Sequence, residues 1–324
     1  MKFTTIAAAA LALSTAGSAW AEELKFASFT PAPHTVTASV IEKLNDVLSE
    51  ATGGELTVRG YLGGELGAGP VEQYVRVVQG VADMAWGLPG YTSSQFQKTM
   101  IAELPGVIDS GSHGYDNIWA AYDEHLADEF PGTVPVAIWI SEPNVMIMKG
   151  HVIRTPADLA GLKIRVAGAT AADVATALGA TPVQMPINQV YNALQTGLID
   201  GVFTGSSTLN DFKLDEVADS YTFGAPLGVL TFYAVMNADK FNSLPADQQQ
   251  AILDARAVVS ESAEVAWFAT SDAGVATARA SGDNTFVDLT ADEAQAFADV
   301  VLPVTAAYVA EVGGDDAFAA MTAE

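Results

Sequence analysis

The chain has 324 residues, no cysteine, and 39 acidic against 14 basic side chains, for a formal net charge of −25. The missing cysteines exclude disulfides, thiolate metal sites and cysteine nucleophiles, and the charge argues against nucleic acid and anionic membrane surfaces as partners. The length is ample for two compact domains held by core packing, and an anionic ligand would have to be recognised by a few local donors rather than by the overall field.

The sequence opens Met1-Lys2-Phe3, runs apolar and small from Ile6 to Leu13, and passes Ala19-Trp20-Ala21 before Glu22-Glu23. A positive start, a short apolar centre and an A-x-A step predict a cleavable signal peptide over residues 1–21. The apolar run is too short to span a bilayer, which takes about 20 residues. No other long apolar stretch follows, so a periplasmic, monomeric protein is expected.

Leu24–Phe29 alternates as a first strand, and Thr30-Pro31-Ala32-Pro33-His34 is a turn. Val36, Val40, Leu44 and Val47 stand at helical spacing in a helix from about Thr35 to Ala51, closed by Gly53-Gly54. Leu56–Tyr61 is a second strand, and Gly63–Gly69 is a glycine-rich loop of positive-φ positions. A helix over Pro70–Gln79 leads to a third strand, Asp83–Gly87. This β-α-β-α-β order predicts a parallel sheet with helices on its faces.

A helix near Tyr115–Glu129 comes next, followed by strands at Val134–Ile140 and Val145–Met148. A second α/β unit then begins, with strand Leu162–Val166, helix Thr170–Leu178, a helix capped by Asn188 and stopped at Gly197, and strand Leu198–Phe203. Thr231–Met236 reads as a strand returning to the first sheet. Between Pro245 and Ser281 an apolar stripe at Ile252, Ala255, Val259, Ala263 and Ala266 marks one helix of about 55 Å, long enough to touch both domains. Helices near Ala291–Glu311 and Ala317–Met321 end the chain. The expected division is 22–143 with about 229–262 as a first α/β domain, and about 144–228 with 263–324 as a second that includes the C-terminal helices. Such halves meet at a cleft, and ligands in open α/β sheets sit beyond the carboxyl ends of the strands.

Catalytic signatures are scarce. His34, His113, His125 and His151 have no metal-ligand spacing, and neither a G-x-S-x-G elbow nor a phosphate-binding loop is present, so no metal or cofactor is expected. Acid pairs such as Asp215-Glu216 read as solvated faces. The exception is Arg165. In Leu162-Lys163-Ile164-Arg165-Val166 the apolar side chains face one way, and Lys163 and Arg165 the other. Arg165 ends its strand just before Ala167-Gly168, at the ligand edge of an α/β unit, and a guanidinium offers paired donors to a carboxylate. An ion pair with one of the many acids suits the local pattern equally well.

Longer motifs decide between these. Asp158-Leu159-Ala160-Gly161-Leu162-Lys163-Ile164-Arg165-Val166, then Gly179-Ala180-Thr181-Pro182-Val183-Gln184-Met185-Pro186, then Val190-Tyr191-Asn192-Ala193-Leu194-Gln195-Thr196-Gly197-Leu198-Ile199-Asp200-Gly201 closely resemble the extracytoplasmic solute-binding subunits of TRAP transporters. Gly64-Glu65-Leu66-Gly67, Val78–Met84 and Phe241-Asn242-Ser243-Leu244-Pro245 agree, so the resemblance covers nearly the whole chain after the leader. It implies a two-lobed periplasmic binding protein fold of class α/β, with a long helix across both domains. It also implies a small organic acid as ligand, no catalysis, and delivery to the TRAP membrane subunits. The arginine of the G-L-K-x-R motif, here Arg165, is the residue that family uses against the ligand carboxylate.

Other positions depart from the family pattern. Thr204-Gly205 stands where an N-P step is common, and Asn144-Val145 where some members carry a second arginine. Trp86-Gly87-Leu88-Pro89-Gly90-Tyr91 replaces charged residues found in the sialic-acid branch, so the pocket is expected to suit one carboxylate on an apolar or aromatic body. The candidate walls are Trp86, Tyr91, Trp139, Phe232 and Tyr233, with core packing as the alternative for each. Thr204, Gly205, Asn144 and His34 are the candidate polar contacts. An ABC-type binding protein and an extracytoplasmic enzyme acting on an organic acid are the competing readings.

Overall fold

The computed structural model describes residues 21–108 and 113–323, so the expected leader, apart from Ala21, lies outside the described residues. The strands are β1 (Glu22–Ala27), β2 (Leu56–Tyr61), β3 (Met84–Gly87), β4 (Thr133–Ile140), β5 (Asn144–Met148), β6 (Lys163–Val166), β7 (Thr181–Gln184), β8 (Gly201–Gly205), β9 (Ser220–Phe223), β10 (Thr231–Asn237) and β11 (Thr285–Asp288). They form two sheets, ordered β2-β1-β3-β10-β4 and β11-β9-β5-β8-β6-β7. Each sheet is the floor of one lobe.

In the first lobe, β1 pairs in parallel with β2 and β3, as the alternating β and α pattern requires. The returning strand β10 runs antiparallel between β3 and β4. Leu24 and Phe26 of β1 are buried against Val40, Leu44 and Leu48 of the helical segment that follows. In the second lobe β6 lies between β7 and β8, parallel to both, while β5 runs antiparallel to β8 and β9. The four-residue strands β7, β9 and β11 were not expected. Strands this short leave little room for an alternation to register, and β7 and β11 are edge strands.

The chain leaves the first sheet at Ile140, enters the second at Asn144, and returns at Thr231. Its two crossings lie side by side. Ser141 N–H donates to the Leu230 carbonyl at 2.8 Å, Leu230 N–H donates to Ser141 Oγ at 2.9 Å, and Asn144 N–H donates to the Gly228 carbonyl at 2.9 Å.

One helix, Ala246–Ala280, has 35 residues, or about 52 Å at 1.5 Å per residue. Its Ile252, Ala255, Val259, Ala263 and Trp267 are buried in the core of the first lobe, and its Ala278 in that of the second. Polar side chains tie it to both. Ser260 Oγ accepts from Ile138 N–H at 3.2 Å, and Glu264 accepts from the Gly114 and Tyr115 amides that open helix Gly114–Ala121. Further along, Ser271 Oγ lies 2.7 Å from Ser206 Oγ of the second lobe.

Three expectations are corrected. Asn188 lies within a short 3-10 turn, Ile187–Gln189, and does not cap the helix Val190–Thr196. Thr170 lies inside helix Ala169–Ala177, whose N-cap is Gly168. The C-terminal helices are expected wholly in the second domain, yet they are divided: Phe297, Val300 and Val301 pack in the second lobe, and Val304 touches the cores of both. Tyr308, Val309, Ala317 and Met321 join the core around Ile118, Ile138 and Val235 of the first lobe. Helix Ala291–Glu311 has 21 residues, so at about 1.5 Å per residue it is long enough to leave one lobe and reach the other.

Candidate ligand-binding site

A narrow slot lies between the lobes, with about 430 Å³ of space between its walls when its open mouth is counted. Its walls are aromatic and aliphatic. Trp86 comes from β3, Phe232 from β10, Trp267 from the long helix and Phe212 from the second lobe, with Leu88, Ile187 and Leu230 between them. The rings hold one another in place: Trp86 and Trp267 have centroids 6.2 Å apart, and Phe232 and Trp267 5.2 Å apart. Burial of several large aromatics in mutual contact makes such a wall stiff, because each ring has few rotamers and each is blocked by the next.

Arg165 stands at one side of this slot. Its residue is 1 % exposed. Its Nε–H donates to the Met185 carbonyl at 2.9 Å, while Nη2 is buried without a hydrogen-bond partner. Among the described residues no acidic side chain forms an ion pair with it. Burial lowers its pKa below the usual guanidinium value, and the Tyr91 hydroxyl beside it pushes the other way. An arginine keeps its proton through such shifts, so the slot contains an uncompensated positive charge. Leaving a buried charge unpaired costs several kcal/mol, and an incoming anion removes that cost.

The opposite charge in the slot is Asp211, whose neighbour is His34. Val36 N–H donates to His34 Nδ1 at 3.1 Å, which places the neutral ring's proton on Nε2. Nε2 lies 3.5 Å from Asp211 Oδ2. An ion pair would raise the imidazole pKa and lower that of the acid. Burial does the reverse to both: His34 is lowered to about 3, and Asp211 is raised to about 6. The contact is therefore a close approach of a neutral imidazole to a buried carboxyl group, not an ion pair. Near pH 7 the lining carries one cation, Arg165, and one carboxylate that is not paired with it.

Seven sequence candidates converge on the slot: Arg165, Thr204, Gly205, Trp86, Tyr91, His34 and Phe232. Three do not. Trp139 is wholly buried, with its ring stacked behind Phe232 at 5.5 Å. Tyr233 follows Phe232 on the same strand and therefore points to the other face, where it packs on Tyr74, Phe96 and Phe130. Asn144 lines a separate surface groove with Glu142, Ser206 and Arg279. Gly205 has a packing reason to be glycine, because a Cβ there would run into the carboxylate of Glu142. Ser141, Ser207, Thr208, Asp211, Phe212 and Trp267 also line the slot and were not anticipated. Of these only Trp267 left a sequence signal, a large aromatic directly after the apolar position Ala266 on the long helix.

A second buried acid joins the lobes. Glu103, in the turn Thr99–Glu103 of the first lobe, accepts from Thr170 Oγ1 of the second at 2.9 Å and from Thr231 N–H at 3.2 Å. Burial pushes its pKa from 4.5 up to about 7. The folded protein therefore holds a proton here that the unfolded chain releases, and this group's contribution to stability falls as pH rises from about 4.5 to about 7. A neutral isostere keeps both contacts, since a glutamine amide oxygen accepts from Thr231 and its amide N–H donates to Thr170 Oγ1. Glu103→Gln is expected to match the wild type near pH 4.5 and to exceed it by about 2–3 kcal/mol at pH 8. Urea titrations of both proteins across that range read the difference, and parallel curves would contradict the assignment.

The geometry agrees with sequence kinship. Residues 26–311 match the family described as bacterial extracellular solute-binding protein, family 7. This chain belongs to that family. Among curated family members, the C4-dicarboxylate-binding periplasmic protein DctP of Rhodobacter capsulatus is 26% identical over 98% of this chain and 97% of its own. Two solved structures share the two-lobed architecture of the family. The TRAP solute-binding protein of Rhodoferax ferrireducens, in complex with copurified benzoate, has a TM-score of 0.86 and 27% identity, covering 93% of this chain and 97% of that one. The TRAP periplasmic solute-binding protein of Bordetella bronchiseptica, with bound (R)- and (S)-mandelate, has a TM-score of 0.84 and 27% identity, covering 94% of this chain and 98% of that one.

Proposed function

We propose that this family 7 protein is an exported, monomeric binding subunit that captures a monocarboxylate with a flat apolar body and hands it to the membrane subunits of a TRAP transporter. The observation that carries this reading is the buried Arg165 guanidinium, with a free Nη2 and no acidic partner, at the side of a narrow aromatic slot. The ligand carboxylate supplies the missing charge and acceptors, and the rings of Trp86, Phe232 and Trp267 cover its apolar part. Closure follows because the carboxylate binds one lobe while most of the aromatic wall belongs to the other, so only the closed form offers both. The two crossings around Ser141 and Leu230 are the pivot. The ligand is released unchanged, since nothing in the slot requires a bond to be made or broken.

A monocarboxylate is preferred over a dicarboxylate on electrostatic grounds. His34 is neutral, and Asp211 occupies the slot, so a second carboxylate would find no second cation and would meet a like charge. The benzoate and mandelate carried by the two structural relatives belong to this same chemical class. The dicarboxylate named for the Rhodobacter capsulatus relative is the alternative. Calorimetry with benzoate and with succinate separates them. Benzoate is expected to bind at least about 100-fold more tightly, a difference of roughly 2.7 kcal/mol. The reverse order would overturn the monocarboxylate assignment.

A further inference from the structure

The segment Pro89–Ser93 of the first lobe lies against the start of helix Ala169–Ala177 in the second. Gly90 and Gly168 meet there backbone to backbone. A Cβ on Gly168 would fall 2.6 Å from Gly90 Cα and 3.1 Å from the Gly90 carbonyl oxygen, and a Cβ on Gly90 would fall 3.2 Å from Gly168 Cα. Neither position requires glycine for its own conformation. Gly168 has φ −150° and ψ −172°, which is ordinary extended backbone, and Gly90 is not among the residues with positive φ. At Gly168 the opposite lobe excludes a side chain, and at Gly90 the opposite lobe crowds one.

Polar contacts flank the glycine pair on both sides. Ser93 Oγ accepts from Ala169 N–H at 3.2 Å, so a free amide of one lobe's helix is satisfied by a hydroxyl of the other. The Tyr91 hydroxyl accepts from Ile187 N–H at 3.1 Å. Tyr91 also lines the slot beside Arg165. The seam is therefore continuous with the ligand site, and any separation at Gly90 and Gly168 moves Tyr91 away from the guanidinium.

We propose that Gly90 and Gly168 are positioning residues for ligand capture: the lack of both side chains lets the lobes approach until Tyr91 and Ser93 reach the second lobe, and this contact sets how far the cleft closes. The inference rests on the proposed closure of the cleft around a carboxylate ligand. It gives a use to two glycines that the backbone does not demand.

Gly168→Ser tests it, because a purely structural role predicts the opposite sign. Gly168 is the N-cap of its helix, a position where serine is favoured. The ligand-free melting temperature is thus expected to stay level or rise. The benzoate dissociation constant is expected to rise at least about ten-fold, chiefly through faster release, because the added side chain overpacks the closed seam. Ser93→Ala is expected to weaken binding in the same direction by a smaller factor. Since the chain has no cysteine, Glu50→Cys and Asn192→Cys give one labelling site on each lobe. The label distance in the presence of saturating benzoate is expected to be longer in Gly168→Ser than in the parent. Wild-type affinity and an unchanged distance in Gly168→Ser would overturn the proposal, as would a loss of affinity that merely follows a lowered melting temperature. If the parent binds no benzoate, the monocarboxylate reading fails separately. The ligand-free distance distributions then decide, and identical ones overturn the seam.

Discussion

Arg165→Ala is expected to remove most of the ligand-induced rise in melting temperature and to weaken carboxylate binding by about 10²–10⁴-fold. The size follows from what the guanidinium does in the closed cleft. It is buried, one of its nitrogens has no partner, and no acid pairs with it among the described residues. Breaking a buried charge pair from one side costs about 3–5 kcal/mol, because the remaining charge is left desolvated and alone, and each 1.4 kcal/mol is a factor of ten. In the variant the abandoned charge is the ligand carboxylate, held in a slot that also contains Asp211. Arg165→Lys is expected to recover only part of the loss, since an ammonium cannot present two parallel donors while also holding the Met185 carbonyl. Calorimetry on the three proteins measures the series. Unchanged affinity in Arg165→Ala would remove the guanidinium from the site.

The second large effect is on stability. Trp139→Ala is expected to lower the unfolding free energy by about 3–5 kcal/mol, the usual range for removing a large buried aromatic. Trp139 is wholly buried, stacks on Phe232 at 5.5 Å and meets Trp267 edge-on at 5.4 Å. Both of those rings line the slot, and Trp139 does not. Its loss therefore leaves a cavity behind the wall, and the wall rings relax into it. Affinity should fall together with stability, whereas Arg165→Ala changes affinity with little loss of stability. Guanidinium denaturation of both variants separates the two roles. A stability loss below about 1 kcal/mol for Trp139→Ala would mean that the second row of rings does not support the first.

The two effects have different physical origins in one site. Arg165 acts through charge, and its partner arrives with the ligand. Trp139 acts through shape, and its partners are present in every state of the protein. Glu103 adds a third role: its buried carboxyl links Thr231 of its own lobe to Thr170 of the other and is expected to make stability sensitive to pH near neutrality.

Much of this protein was settled by its sequence alone. The alternation in Leu162–Val166 put Arg165 on one strand face at the strand end, and the resemblance of the G-L-K-x-R motif made it the expected carboxylate contact. The apolar stripe from Ile252 to Ala263 determined the long helix, and the β-α-β order determined the parallel core of each lobe. Side-chain periodicity carries this information because it reports which residues of one element share a face. It cannot report which face meets which. Tertiary structure decided that Phe232 rather than Tyr233 faces the slot, that Trp139 stands behind the wall, and that Asn144 opens on another groove. It also brought Asp211 beside His34 and Gly90 against Gly168, contacts between residues far apart in the chain. The contacts at Asp211 and at Gly90 depend on how the two lobes pack across the cleft, and the places of Phe232, Tyr233 and Trp139 on which face of the first sheet meets the long helix; no local pattern within a single element encodes either.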